Sequence, residues 1–298
     1  MREINRILCP IDLSDVSRHT VDHAALMARW YKAKITALHV CNPFVIPLAD
    51  FTVAGVVPPP VLTDDDVKEA RAQVMAYFEP ASPLGVDVIV DSGNPANRIL
   101  ERAAALPADL IVIGTHGVGG FEHLMLGSVT EKILRKAACP VMTVPPHAHT
   151  TSKLPFKRLL CPVDFSDSSL AALEFAYSMA QEGDAELTIL HVFEWLAEDE
   201  PLTNRPITVP EYRVELEADF TARLHALVPD SVRAWCHPIT RTAHGKPYRE
   251  ILGIATEDSS DLIVMGVQGR NEIDLMLFGS TTNQVVRRAT CPVLTLRR

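Results

Sequence analysis

Asp109-Leu110-Ile111-Val112-Ile113-Gly114-Thr115-His116-Gly117 decides the fold. Its first five residues are almost wholly apolar, as expected of a parallel strand buried on both faces. Two glycines then break the strand. After nine more residues comes Gly127-Ser128-Val129-Thr130, where a helical pattern begins. A strand, a glycine loop and a helix in that order read as one step of an alternating β/α sheet.

The same stretch occurs twice. Asp261-Leu262-Ile263-Val264-Met265-Gly266-Val267-Gln268-Gly269 repeats the strand and loop, and Gly279-Ser280-Thr281-Thr282 follows after the same nine residues. Other anchors lie at the same offset of 152 positions. Leu8-Cys9-Pro10-Ile11-Asp12-Leu13-Ser14-Asp15 returns as Leu160-Cys161-Pro162-Val163-Asp164-Phe165-Ser166-Asp167. His39-Val40 returns as His191-Val192, Gly93-Asn94-Pro95 as Gly245-Lys246-Pro247, and Cys139-Pro140-Val141 as Cys291-Pro292-Val293. The chain is an internal duplication. Its halves are expected at 1–146 and 154–298, joined by a polar, proline-led linker at 147–153.

Each half reads as five strands alternating with four helices. In the first, strands are expected at Arg6–Ile11, Lys34–Val40, Val86–Val90, Asp109–Ile113 and Pro140–Val144. Helices are expected from Ser14, as N-cap, to Tyr31, around Val67, Ala70, Val74 and Phe78, from Pro95 to Leu106 and from Ser128 to Ala137. A long proline-containing loop spans Asn42–Leu62. The fold class is α/β: two tandem open parallel sheets with helices on both faces.

Composition narrows the function. The 298 residues are 47% hydrophobic and 22% charged, so this is not a disordered acidic chain. The net charge of −9 is shared, at −3 in the first 150 residues and −6 in the rest. No basic half exists to live on nucleic-acid phosphates. No apolar run reaches the ~18 residues of a membrane helix, and the first residues lack a signal-peptide core. A cytoplasmic protein is expected, with Cys9, Cys41, Cys139, Cys161, Cys236 and Cys291 as free thiols.

In such sheets ligands bind beyond the carboxyl ends of the strands, at the switch point. Glycines there let a ligand approach the backbone, and the free N–H groups opening a helix favour a phosphate. Ser128 with Glu131 fits a capping box, which Asn283 in place of Glu131 removes from the second copy. Ser and Thr hydroxyls can add phosphate donors. The alternative is that the glycines only shape a turn. The motif is neither a Walker A loop nor a compact GxGxxG.

These residues resemble the universal stress protein family, whose ATP-binding signature Gly-x2-Gly-x9-Gly-Ser/Thr is complete in both halves. The resemblance covers essentially the whole chain, and includes the CPxD segment of the first strand and the Cys-Pro-Val before the fifth. It implies ATP or another adenine nucleotide in a Rossmann-like five-stranded sheet, of the adenine nucleotide alpha hydrolase type, with Mg²⁺ as a companion ion. Carried over residue by residue, Asp12 and Asp164 face the ribose or a nucleotide-bound metal. Pro10, Ile11, Pro162 and Val163 line the adenine pocket, and Val40 and Val192 offer backbone groups to the base edge. Gly114, Thr115, His116, Gly117, Gly127 and Ser128 cradle ribose and phosphates, as do Gly266, Gln268, Gly269, Gly279 and Ser280. Val129, Thr130, Thr281 and Thr282 extend that amide cradle. Arg270, where the first copy has Val118, either adds a phosphate contact or is a solvated surface residue. The resemblance also implies an internal pseudo-dimer of the two halves and a homodimer of chains.

The remaining candidates are bland. His147 and His149 form a metal pair only if further ligands join them, and otherwise belong to the linker. His39 and His191 are expected as satisfied, partly buried histidines rather than catalytic ones. Lys246 near the third strand has Asn94 as its counterpart. Met125, Leu126, Met276, Leu277 and Phe278 are expected to bury against the sheet or a partner. With no convincing base, nucleophile or metal cluster, the expected role is regulatory, with at most slow ATP hydrolysis. The rivals are a nucleotide hydrolase or nucleotidyl transferase, with Asp12 or His116 as base, and an interaction module with vestigial pockets.

Overall fold

The computed structural model describes residues 4–41, 63–79, 85–116, 126–146, 148, 155–194, 209–236, 238–268 and 279–297. The chain divides into two compact units, Glu3–Thr150 and Thr151–Arg298.

The first unit runs β1 (Arg6–Pro10), α1 (Ser17–Tyr31), β2 (Lys34–Cys41), α2 (Asp64–Phe78), β3 (Val86–Ser92), α3 (Pro95–Ala105), β4 (Leu110–Gly114), α4 (Ser128–Lys136) and β5 (Val141–Val144). Its strands lie in the order β3-β2-β1-β4-β5, and every pairing is parallel. The second unit repeats this with β6 (Arg158–Pro162), α5 (Asp167–Gly183), β7 (Glu186–Phe193), α6 (Val209–Ala226), a short α7 (Asp230–Arg233), β8 (Ile239–His244), α8 (Pro247–Glu257), β9 (Leu262–Gly266), α9 (Ser280–Arg288) and β10 (Val293–Leu296). Its order is β10-β9-β6-β7-β8, again all parallel. The switch point lies between β1 and β4 in one unit and between β6 and β9 in the other.

Central strands are buried throughout: Leu110, Ile111, Val112, Leu262, Ile263 and Val264 are fully inaccessible. Each of these two strands has a neighbour on both edges, which suits an apolar run along its length. Two carboxylates fix the register at the amino ends. Asp109 accepts the backbone N–H groups of Asn5 and Arg6, both at 2.9 Å. Asp261 does the same for Lys157 and Arg158, at 2.7 and 2.9 Å. Gly93 and Gly245 turn the chain from third strand to third helix at φ 134° and 143°, a region closed to side-chain-bearing residues.

Two expected caps are corrected. Helix α1 begins at Ser17, not after Ser14, and its N-cap Val16 makes no side-chain cap. The Ser14 hydroxyl and N–H are drawn instead to Asp12 Oδ1, at 2.6 and 3.1 Å, in a turn that puts Leu13 at φ 63°. In the second unit the equivalent Ser166 does cap α5, accepting from the Ser169 N–H at 3.3 Å. The Ser128–Glu131 capping box is also absent. Gly127 is the N-cap of α4, so Ser128 lies one position too deep to cap, and Glu131 pairs with Arg135 at 2.8 Å. A genuine box closes the start of α2, between Thr63 and Asp66. The loop at 42–62, most of the linker and Met125, Met276, Leu277 and Phe278 lie outside the described residues. Among the described residues no helix is long and apolar enough to cross a membrane.

Candidate functional site

The first wall of the crevice is the turn after β1. Pro10 is half-buried, Ile11 is buried and Asp12 is exposed. The Ile11 N–H donates to the Leu38 carbonyl at 2.9 Å, continuing the sheet by one residue. His39 Nδ1 lies 2.8 Å from the Ile11 carbonyl, and His191 Nδ1 lies 2.7 Å from that of Val163. A carbonyl can only accept, so Nδ1 carries the proton in both rings. Each histidine thereby ties the turn after the first strand to the end of the second, beside the half-buried Val40 and Val192. These are satisfied structural histidines.

Asp12 Oδ1 gathers the Ser14 N–H and the hydroxyls of Ser14 and Ser17, both hydroxyls at 2.6 Å. Asp164 Oδ1 accepts the Ser166 N–H at 3.0 Å and its hydroxyl at 2.6 Å. Both carboxylates are thus held rigidly at the carboxyl end of their strand. Asp12 faces solvent and Asp164 is half-buried.

The second wall is the glycine loop. The Thr115 N–H reaches the Val144 carbonyl at 3.0 Å, and the Gly127 N–H returns to the Thr115 carbonyl at 2.9 Å. Val267 and Gly279 repeat this, with the Val267 N–H on Leu296 at 2.9 Å and the Gly279 N–H on Val267 at 3.0 Å. The two ends of the loop are clipped together, which delivers the start of the following helix to the mouth of the crevice. A Cβ on Gly127 would lie 3.3 Å from the Thr115 carbonyl oxygen, and one on Gly279 3.1 Å from that of Val267. Glycine leaves these close approaches unstrained.

Thr130 and Thr282 lock the same corner. Both are buried, and their hydroxyls donate to the Gly114 and Gly266 carbonyls, at 2.7 and 3.0 Å. Those hydroxyls are therefore directed inward, unlike the phosphate donors expected of loop threonines. The Thr115 hydroxyl is turned inward too, 2.8 Å from His116 Nδ1. Ser128 and Ser280 are exposed at the first helical position, with Val129 and Thr281 beside them half-buried. The first N–H groups of a helix have no partner within it, so these residues present donors and positive dipole ends at the crevice. Gly117, Gly269 and Arg270 lie outside the described residues, as do His147 and His149.

Burial makes the thiols poor nucleophiles. It pushes Cys9 and Cys291 up to about 12 and Cys139 to about 11. All six cysteines are free. Among the described residues no group of three or more His, Cys, Asp or Glu side chains could hold a metal ion.

The described site thus brings Asp12, Gly114, Gly127 and Ser128, and their second-unit equivalents, to the carboxyl ends of their sheets. The histidine ties, the loop clip and the Asp109 and Asp261 anchors were not read from the sequence. Their only sequence signal was recurrence at the fixed offset.

Comparison with known proteins agrees with this construction. The model of the universal stress protein family matches residues 3–145 and again 155–297. A universal stress protein of Bacillus subtilis is 32% identical over 145 residues, which are 47% of this chain and 98% of that protein. One from Mycolicibacterium smegmatis is 26% identical over 301 residues, spanning 98% of this chain and 96% of its own. The crystal structure of a universal stress protein from Archaeoglobus fulgidus shares the fold with a TM-score of 0.64, at 22% identity over 99% of both chains. With the glycine loop built twice and the family matched twice, the chain belongs to the universal stress protein family, as a tandem member.

Proposed function

We propose that the chain binds an adenine nucleotide, ATP with Mg²⁺ being the expected form, beyond the carboxyl ends of its strands and acts as a regulatory stress-response protein. The observation that carries this is the clipped loop. It holds a helix start and an exposed serine at the carboxyl end of the sheet, where the first strand also ends in a carboxylate. Backbone N–H groups of Ser128, Val129 and Thr130 would hold phosphate oxygens, with Ser280, Thr281 and Thr282 as their counterparts. Asp12 and Asp164 suit a ribose hydroxyl or a metal carried in by the nucleotide. The bound ion would neutralise phosphate charge. Pro10, Ile11 and the end of β2 would flank the base. The close approach at Gly127 and Gly279, where a Cβ would sit 3.3 and 3.1 Å from a loop carbonyl oxygen, supports this fit.

Binding stabilises the folded state by mass action, by about 2.7 kcal/mol at a hundred times Kd. A thermal-shift titration with ATP and Mg²⁺ should raise Tm progressively. No shift at millimolar nucleotide would overturn the proposal. A cytoplasmic location and a homodimer of chains belong to the same reading. Light scattering on the eluted peak should then give about twice the chain mass, and a monomer mass would remove the dimer.

A further inference from the structure

We infer that the two crevices are unequal: the first unit takes the nucleotide, and Ser168 latches the second one shut. This rests on the nucleotide reading and says which of its two sites operates.

The crevice at the switch point is the gap between the turn after the first strand and the loop after the fourth. In the second unit, a hydroxyl bridges that gap. Ser168 donates to the Gln268 carbonyl, while the Ser166 hydroxyl, committed to Asp164 Oδ1 at 2.6 Å, lies 3.3 Å from the same oxygen. The two walls are so close that a Cβ on Gly266 would lie 2.5 Å from Ser168 Oγ, and 2.8 Å from the Ser169 backbone nitrogen. In the first unit Val16 holds the position of Ser168 and has no hydroxyl to give. The neighbouring hydroxyls of Ser14 and Ser17 both donate to Asp12 Oδ1. A hydroxyl has one proton to donate, so neither can also latch the loop. A Cβ on Gly114 would meet only the Thr20 hydroxyl and the His116 carbonyl, at 3.1 and 3.2 Å.

The base end of the second crevice is filled as well. Phe165 and Phe193 stand where the first unit has Leu13 and Cys41. Phe220 of α6 stacks on His191 with ring centres 4.8 Å apart and meets Phe193 edge-on at 5.2 Å. Phe165 lies 5.0 Å from His191, and the Arg223 guanidinium covers its face at 4.3 Å. Under these rings His191 and Phe193 are only 5% and 6% exposed, whereas His39 and Cys41 are half-buried. A base entering there must displace ring contacts that already satisfy the pocket. Opening costs affinity in proportion to the rarity of the open state.

Equilibrium dialysis of the full chain with labelled ATP and Mg²⁺, joined to hydrogen exchange of the two helix starts, tests the inference. One ATP per chain is expected, protecting the amides at the start of α4 and not those of α9. Ser168→Val, which copies the first unit, should tighten the second site at least tenfold and move the stoichiometry toward two. Ser168→Ala should act in the same direction, which guards against a packing fault of valine. Two equal sites in the unaltered chain, protection at α9 alone, or a second site unmoved by both variants would overturn the inference while leaving nucleotide binding intact. No binding at all would overturn the nucleotide reading, and the inference with it.

Discussion

Two buried side chains give the site its stiffness. The Thr130 hydroxyl donates to the Gly114 carbonyl across the base of the loop, and Thr282 repeats the bond at Gly266. Valine fills the same volume and cannot donate. Thr130→Val should therefore cost about 1–3 kcal/mol, the range for a buried carbonyl deprived of a donor, read as a lower urea midpoint. An unchanged midpoint would mean that the bond contributes nothing net. His23 sits fully buried on α1, and burial holds its pKa below the ordinary 6.5 despite a backbone contact with His19. The sign follows from linkage. Above about 6.5 the ring is neutral in both states and contributes no pH dependence. As pH falls below that, the unfolded chain takes up the proton first, and stability drops. Replacing His23 with leucine should flatten the loss of stability between pH 7 and 5, seen in urea midpoints at the two values. An equally steep loss would move the effect to other groups. Neither residue's role was legible from the sequence. A threonine behind a glycine reads as a phosphate donor until its hydroxyl is seen pointing inward, and one histidine in a helix carries no sign of burial.

At the level of elements, the glycine loop and the helix behind it form one unit. The Gly127 N–H closes the loop on the Thr115 carbonyl, and α4 starts at the next residue. A Cβ at 127 would lie 3.3 Å from that carbonyl oxygen, and a branched side chain would press on the clip further. Gly127→Val should abolish the nucleotide-dependent rise in Tm of the first unit, while far-UV circular dichroism keeps its α/β shape. A full ATP response in that variant would remove the loop from the site. Strands and helices were legible because their cause is periodicity along the chain: β4 is apolar at every position facing the interior, and α2 shows its buried Ala70, Val74 and Phe78 at helical spacing. Helix starts were less so. Ser14 and Ser128 each look like an N-cap, and each lost that role to a competing local geometry. The Asp12 carboxylate captured Ser14, and the loop clip placed Gly127 at the cap of α4.

At the scale of the whole molecule, duplication made the same architecture twice and let the copies drift. The offset of 152 residues exposed the repeat, and with it the α/β class and the family. The drift was visible only as substitutions: Val16 against Ser168, Leu13 against Phe165, Cys41 against Phe193. Their consequence needed three dimensions, because Ser168 meets Gln268 across one hundred residues of chain. Adenine nucleotide binding is the central claim, and small molecules released from the gently purified chain test it most directly. Mass spectrometry with protein quantitation should find an adenine nucleotide, approaching one per chain after incubation with ATP and Mg²⁺ and desalting. An adenine-free protein, before and after that incubation, would contradict the account.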